Sequence, residues 1–308
     1  MYSIRRSARS AFVPIRHLRY HVRQWGEPRP GAIPWVMVHG WMDVSASFQF
    51  VVDALDHDPW IIAPDWRGFG LTETPGQDCY WFPDYLADLD FLLRHLCGDG
   101  PVHLIGHSMG GHVAMLYAGV RPERVARLVN LEGFGMPATR AAQAPSRYAQ
   151  WLDELAAQHE GQSGLRPYEA LEGVAQRLMK TNPRLSADKA EWLAGHWARQ
   201  GDDQRWRILG EAGHKIVNPQ LFRVDEVQAV YARIQAPTLC VVAEHDSLAQ
   251  WWKERYTLQE FQERVASVPQ LRHLQMADCG HMLHHDQPEA LARVLTEFLM
   301  PTDAERPC

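Results

Sequence analysis

Gly106-His107-Ser108-Met109-Gly110 is the segment whose residue types and spacing are best suited to covalent chemistry. It follows the apolar run Pro101 to Ile105 and opens a helical stretch, Met109 to Gly119. A serine at a sharp strand-to-helix turn is thrust out of line with the sheet. Glycines on its flanks remove side chains that would strike the neighbouring strand or helix. The helix beginning at Met109 aims the positive end of its dipole at the turn, which favours developing negative charge there. The bare five-residue pattern arises often by chance, so the strand before it and the helix after it carry the argument. A serine hydroxyl alone is a weak nucleophile, so a base and an orienting acid must come from elsewhere. The chain offers 16 histidines and 37 acidic residues for those roles.

Several elements must hold such a site. Arg16 to Trp25 alternates as a strand does, and Glu27 to Gly31 breaks it as a loop. Ile33 to Val38 and Trp60 to Pro64 are short apolar runs that read as buried strands. Asp84 to Leu96 carries apolar residues at helical spacing, and Arg127 to Leu131 is a fourth strand. Strands alternating with helices predict a parallel sheet covered on both faces. From Met136 to Ala232 the pattern changes to helical stretches with no clear strand. Strand signals resume at Pro237 to Ala243 and Leu271 to Met276, and Gln287 to Leu299 closes the chain as a helix with Pro288 in its first turn. The division expected is a core of residues 1–135 and 233–308 with a helical cap inserted at 136–232.

With the serine turn and this alternation, the chain resembles the α/β-hydrolase family over nearly all of its length outside the inserted segment. The resemblance implies an α/β fold with a mostly parallel sheet flanked by helices, and a triad in the order Ser, acid, His. His281, in Ala277-Asp278-Cys279-Gly280-His281-Met282, matches the family's histidine position; His284 and His285 are its nearest rivals. Asp246, after Val241-Val242-Ala243-Glu244-His245, resembles the acid position, with a helix-capping aspartate as the plain alternative. Glu132, in Asn130-Leu131-Glu132-Gly133-Phe134, ends the strand before the insertion and is the alternative acid. His39-Gly40-Trp41-Met42-Asp43 resembles the family's H-G-x segment, which implies an oxyanion hole made of the Trp41 and Met109 amides. Gly40, His107 and Trp41 are expected to line the pocket, and His39 to be a structural hydrogen-bonder. Asp65-Trp66-Arg67-Gly68-Phe69-Gly70 resembles the family's D-x-R-G-x-G turn, read as held together by Asp65 and Arg67.

Function classes narrow further on composition. The chain has 308 residues, a net charge of −6 and no long basic block, which argues against a nucleic-acid partner. No apolar run reaches the length of a membrane span or a signal peptide. Five scattered cysteines without C-x-x-C spacing suit a reduced, cytoplasmic protein better than a disulfide-stapled one. His284-His285-Asp286 and His245-Asp246 lack the spacing of a known metal site, so neither metal nor cofactor is expected. Trp151, Trp192, Trp197 and Trp206 fall in or near the insertion and Trp251 and Trp252 just beyond Asp246. Their density suggests an apolar pocket, although each alone is better explained by packing. The expected function is hydrolysis of a small to medium hydrophobic carboxylic ester through an acyl-enzyme. Carbon–carbon bond hydrolysis, lactone opening and non-catalytic ligand binding remain open; the Leu131 to Gly135 segment is similar to serine-hydrolase-like members.

Overall fold

Residues 2–74 and 76–300 are described by the computed structural model. The chain starts with an antiparallel pair, β1 (Arg9–Ile15) and β2 (Leu18–Trp25). β3 (Trp35–Val38), helix α1 (Gln49–Ala54) and β4 (Ile61–Pro64) follow. Next come α2 (Phe82–Cys97), β5 (Val102–His107), α3 (Met109–Val120) and β6 (Val125–Leu131). The segment after β6 holds α4 (Ala144–His159), α5 (Leu171–Thr181), α6 (Ala187–Trp197), a small hairpin of β7 (Ala198–Gln200) and β8 (Trp206–Ile208), and α7 (Val224–Tyr231). β9 (Thr238–Ala243), α8 (Ser247–Trp252), α9 (Leu258–Val265), β10 (Leu271–Met276), α10 (Leu283–Asp286) and α11 (Pro288–Leu299) complete the described fold. The main sheet has eight strands in the order β1-β2-β4-β3-β5-β6-β9-β10, parallel from β4 to β10.

Both faces of the central strands are buried, which is why they read as unbroken apolar runs. Along β3, Trp35 and Met37 face one core with Ile61, Ile105 and Val129, covered by Val51 of α1 and Leu291, Leu295 and Phe298 of α11. Val36 and Val38 face the other with Ile62, Leu104 and Leu128, covered by Leu89 and Leu92 of α2 and Val113 of α3. No helix of the described residues is long and apolar enough to cross a membrane.

Two expectations need correction here. Within residues 136–232, where the sequence shows no clear strand, β7 and β8 pair; at three residues each they are too short for a periodicity to register. The Asp65-to-Gly70 turn is not closed by an Asp65–Arg67 pair. Asp65 instead accepts from the Ser45 and Leu71 amides and faces His21 Nδ1 at 2.7 Å. Burial is the largest single influence and disfavours its charge, but His21, His39 and the Leu71 amide together outweigh it and hold the carboxyl down at about 2. Arg67 turns the other way: its Nε and Nη2 donate to both oxygens of the buried Asp88 at 2.5 and 2.7 Å, and Tyr20 donates its hydroxyl to Asp88 as well. His39 is the expected structural residue, its Nε2 accepting from the Trp66 amide at 2.9 Å.

Candidate active site

The carboxyl ends of parallel strands are where an α/β sheet presents its loops to ligand. β5 and β6 pair in a register that sets His107 opposite Leu131, so the next residues, Ser108 and Glu132, emerge side by side. The Ser108 amide donates to the Leu131 carbonyl at 2.8 Å, and the Glu132 amide to that of Val241 at 3.0 Å. Both residues have left-handed backbones, φ 53° at Ser108 and 56° at Glu132, which costs energy in non-glycine residues and marks sites where the surroundings impose it.

The Ser108 turn is as tight as its glycines require. A Cβ at Gly106 would stand 2.3 Å from the Gly110 carbonyl oxygen, and one at Gly110 would stand 2.3 Å from that of Val38. A methyl at Gly106 therefore has backbone on its far side and nothing flexible to displace. Gly106→Ala is expected to lose about 1–3 kcal/mol or more of stability as α3 is pushed off the sheet. A urea unfolding curve checks this, and an unchanged midpoint would mean that helix and strand are not locked together.

His281 lies in the loop between β10 and α10, and its Nδ1 is 3.2 Å from Glu132 Oε2. Glu132 is buried and fixed: Oε1 accepts from the Ala243 amide at 2.7 Å and Oε2 from the Ser247 hydroxyl at 2.9 Å. The Trp251 indole and the His281 ring meet nearly perpendicular, 4.3 Å between centroids. Asp246 is not brought to His281. It is exposed and caps α8, Oδ1 accepting from the Ala249 amide at 3.0 Å. The assignment of Asp246 beside the histidine is thus corrected: its carboxylate is used by the helix end, and Glu132 occupies the place at the imidazole.

Gly40 packs directly under the serine, since a Cβ there would be 3.0 Å from that of Ser108. Trp41 is half-exposed and its indole N–H donates to the His214 carbonyl of the inserted segment at 3.3 Å. Met109 is the first residue of α3, so its N–H belongs to the first turn, which has no acceptor within the helix. His107 leaves almost nothing of its side chain exposed. It is buried beneath the serine with Nε2 2.8 Å from the His281 carbonyl. His284 and His285 are buried too, away from the role His281 could fill.

Most tryptophans of the insertion serve packing. Trp192 meets Tyr2 and Phe50, and Trp197 is buried with its indole N–H on Asp43. A residue that sequence reasoning missed is His214, whose ring is stacked between Phe69 and Tyr80 at 3.7 and 3.6 Å. Burial pushes its imidazole down to about 3, so it stays neutral. Nothing in the local sequence distinguishes it among 16 histidines.

A family model described as alpha/beta hydrolase fold matches residues 34–288. The chain belongs to the α/β-hydrolase family. This α/β-hydrolase is 26% identical over 310 residues to a serine hydrolase-like protein of Danio rerio, an alignment covering 99% of the chain and 92% of that relative. It is 27% identical over 281 residues to a cis-3-alkyl-4-alkyloxetan-2-one decarboxylase of Shewanella oneidensis, covering 88% and 83% of the two. Among solved structures, a thioesterase domain from the curacin biosynthetic pathway superposes with a TM-score of 0.78 at 23% identity, covering 94% of this chain and 99% of that one. That last likeness bears on the fold of the α/β-hydrolase alone.

Proposed function

We propose that this α/β-hydrolase cleaves a carboxylic ester through an acyl-enzyme, with Ser108 as nucleophile, His281 as base and Glu132 as the acid that orients it. The observation carrying this reading is the buried Glu132 carboxylate at 3.2 Å from His281 Nδ1, beside the left-handed turn of Ser108. With Nδ1 engaged by the carboxylate, Nε2 is the nitrogen left to take the serine proton. The Ser108 oxygen attacks the acyl carbon as its proton passes to His281. The Trp41 and Met109 amides hold the resulting oxyanion, a donor of this kind being worth about 3 kcal/mol of barrier. Collapse expels the alcohol, which takes the proton from His281. Water then attacks the acyl-serine by the same route in reverse and frees the acid.

Residues 136–232 act as the cap over the site in this reading, and the exposed Trp41, Trp251, Met136 and Tyr148 favour an apolar acyl group. The free thiols of Cys79, Cys97, Cys240 and Cys279 support a reducing, cytoplasmic setting. Lactone opening is the second reading. It is favoured by the Shewanella oneidensis relative, whose name specifies an oxetan-2-one, a four-membered cyclic ester offering the same acyl carbon.

The test pairs a fluorophosphonate probe with p-nitrophenyl esters of increasing chain length and a β-lactone. Labelling at Ser108 mapped by mass spectrometry, lost in Ser108→Ala, with ester turnover, is the expected result. Absent labelling would mean a ligand-binding protein, and turnover of the lactone alone would select the second reading.

A further inference from the structure

Below Ser108 and His281 lies a second group of chemistry-bearing side chains that the proposed reaction does not use. Asp43, from the loop after β3, His107, at the end of β5, and His284, in α10, are all buried. One ligand atom of each lies within 4.8 Å of the other two. Their bonding leaves donor atoms without a partner. A carbonyl oxygen only accepts, so the His107 Nε2 that faces the His281 carbonyl carries the ring hydrogen. That makes His107 Nδ1 a bare lone pair, and it is unpartnered. Both nitrogens of His284 are unpartnered as well, with Nε2 3.9 Å from Asp43 Oδ2. Asp43 Oδ1 is engaged by the Ser47 hydroxyl and, at 3.1 Å, by the Trp197 indole N–H, whereas Oδ2 has no hydrogen bond.

We propose that Asp43 Oδ2, His107 Nδ1 and His284 Nε2 bind one divalent first-row transition-metal ion of the zinc class. Two imidazole nitrogens and one carboxylate oxygen are a ligand set such ions favour, and hard ions such as Mg²⁺ or Ca²⁺ do not. Metal–ligand distances of about 2.1 Å place tetrahedral ligands about 3.4 Å apart, so the 3.9 Å pair closes by well under an ångström and no pair of the cluster, all within 4.8 Å, by more than about 1.4 Å. The outer contacts already have the form found around bound metals. The His107 N–H that does not face the ion is fixed by a carbonyl, and the second Asp43 oxygen is fixed by Ser47 and Trp197. A dication also offsets a buried carboxylate whose ion-pair partner is a histidine at 3.9 Å. The ion takes water as its fourth tetrahedral ligand and acts as a structural tie. It tethers the loop after β3, the strand end carrying Ser108 and α10 to one another, and through His107 it fixes the backbone of His281.

The experiment is metal analysis of the full chain, expressed in zinc-supplemented medium and washed with a chelator after purification. One zinc per chain is expected in the wild type and in Ser108→Ala, and none in Asp43→Asn or His284→Leu. Protein expressed with Co²⁺ in place of zinc is expected to show the visible d–d bands of tetrahedral cobalt. This second readout needs no variant to fold. Metal at the same trace level in wild type and variants, with no cobalt bands, overturns the proposal and leaves an ordered water as the centre of the cluster. Fluorophosphonate labelling reads Ser108 separately, so the serine chemistry and the metal site can fail independently.

Discussion

Replacing Glu132 with glutamine is expected to lower kcat/KM for a reactive ester by about a thousandfold to ten-thousandfold, and Asp246→Asn by less than about twofold. The glutamine retains an oxygen and the approximate shape, so packing against Ala243 and Ser247 survives. In the proposed mechanism it cannot offset the imidazolium that forms when Ser108 gives up its proton, and its amide N–H₂ can turn the ring to the wrong tautomer. Asp246 meets the amide of Ala249, and asparagine caps a helix about as well as aspartate. Steady-state kinetics of the two variants with melting curves as folding controls decide the matter. Comparable losses in both, or a loss only in Asp246→Asn, would return the acid role to Asp246.

The second large effect is on stability. Asp88 accepts from Arg67 Nε and Nη2 and from Tyr20, all in the interior, while Arg16 reaches it at 3.1 Å from the rim. Burial pushes the Arg67 guanidinium toward losing its proton, but Asp88 more than reverses this and keeps it charged. Asp88→Ala strands that guanidinium with only Asp84 at 3.2 Å, and is expected to cost about 3–5 kcal/mol. This is a large part of the 5–15 kcal/mol typical of a folded domain. The double variant Arg67→Met with Asp88→Leu removes both charges and is expected to recover much of the loss. Chemical denaturation checks both, and a single variant losing less than about 1 kcal/mol would mean that the pair is solvated rather than buried.

The parts of this fold legible in the sequence are those that bury both faces. β3 and β4 are apolar throughout, β5, β6 and β9 are mostly apolar, and α2 and α11 carry a clear apolar stripe. β1 escaped because it is a largely exposed edge strand containing Pro14, with little to distinguish it from a loop. Ser108 and His281 stand out in the sequence because their loops have a local form. The carboxylate that meets His281 does not, because Glu132 and Asp246 both follow an apolar strand end. What separates them is burial and the direction of the carboxylate, settled by Ser247 and the Ala243 amide more than a hundred residues after Glu132. The Asp43, His107 and His284 cluster was invisible for the same reason: its members are far apart in sequence and meet only once the sheet is assembled.

The bond from the Trp41 indole to the His214 carbonyl makes the inserted segment something other than an interchangeable module. His214 is itself clamped between Phe69 and Tyr80, so the loop after β3 leans on a prop that belongs to the insertion but is gripped by the core. Excising residues 136–232 would therefore remove the strut that steadies Trp41 and leave the loop after β3 without its contact to His214. A chimera carrying another relative's segment here inherits the same demand: it must present a carbonyl where His214 does.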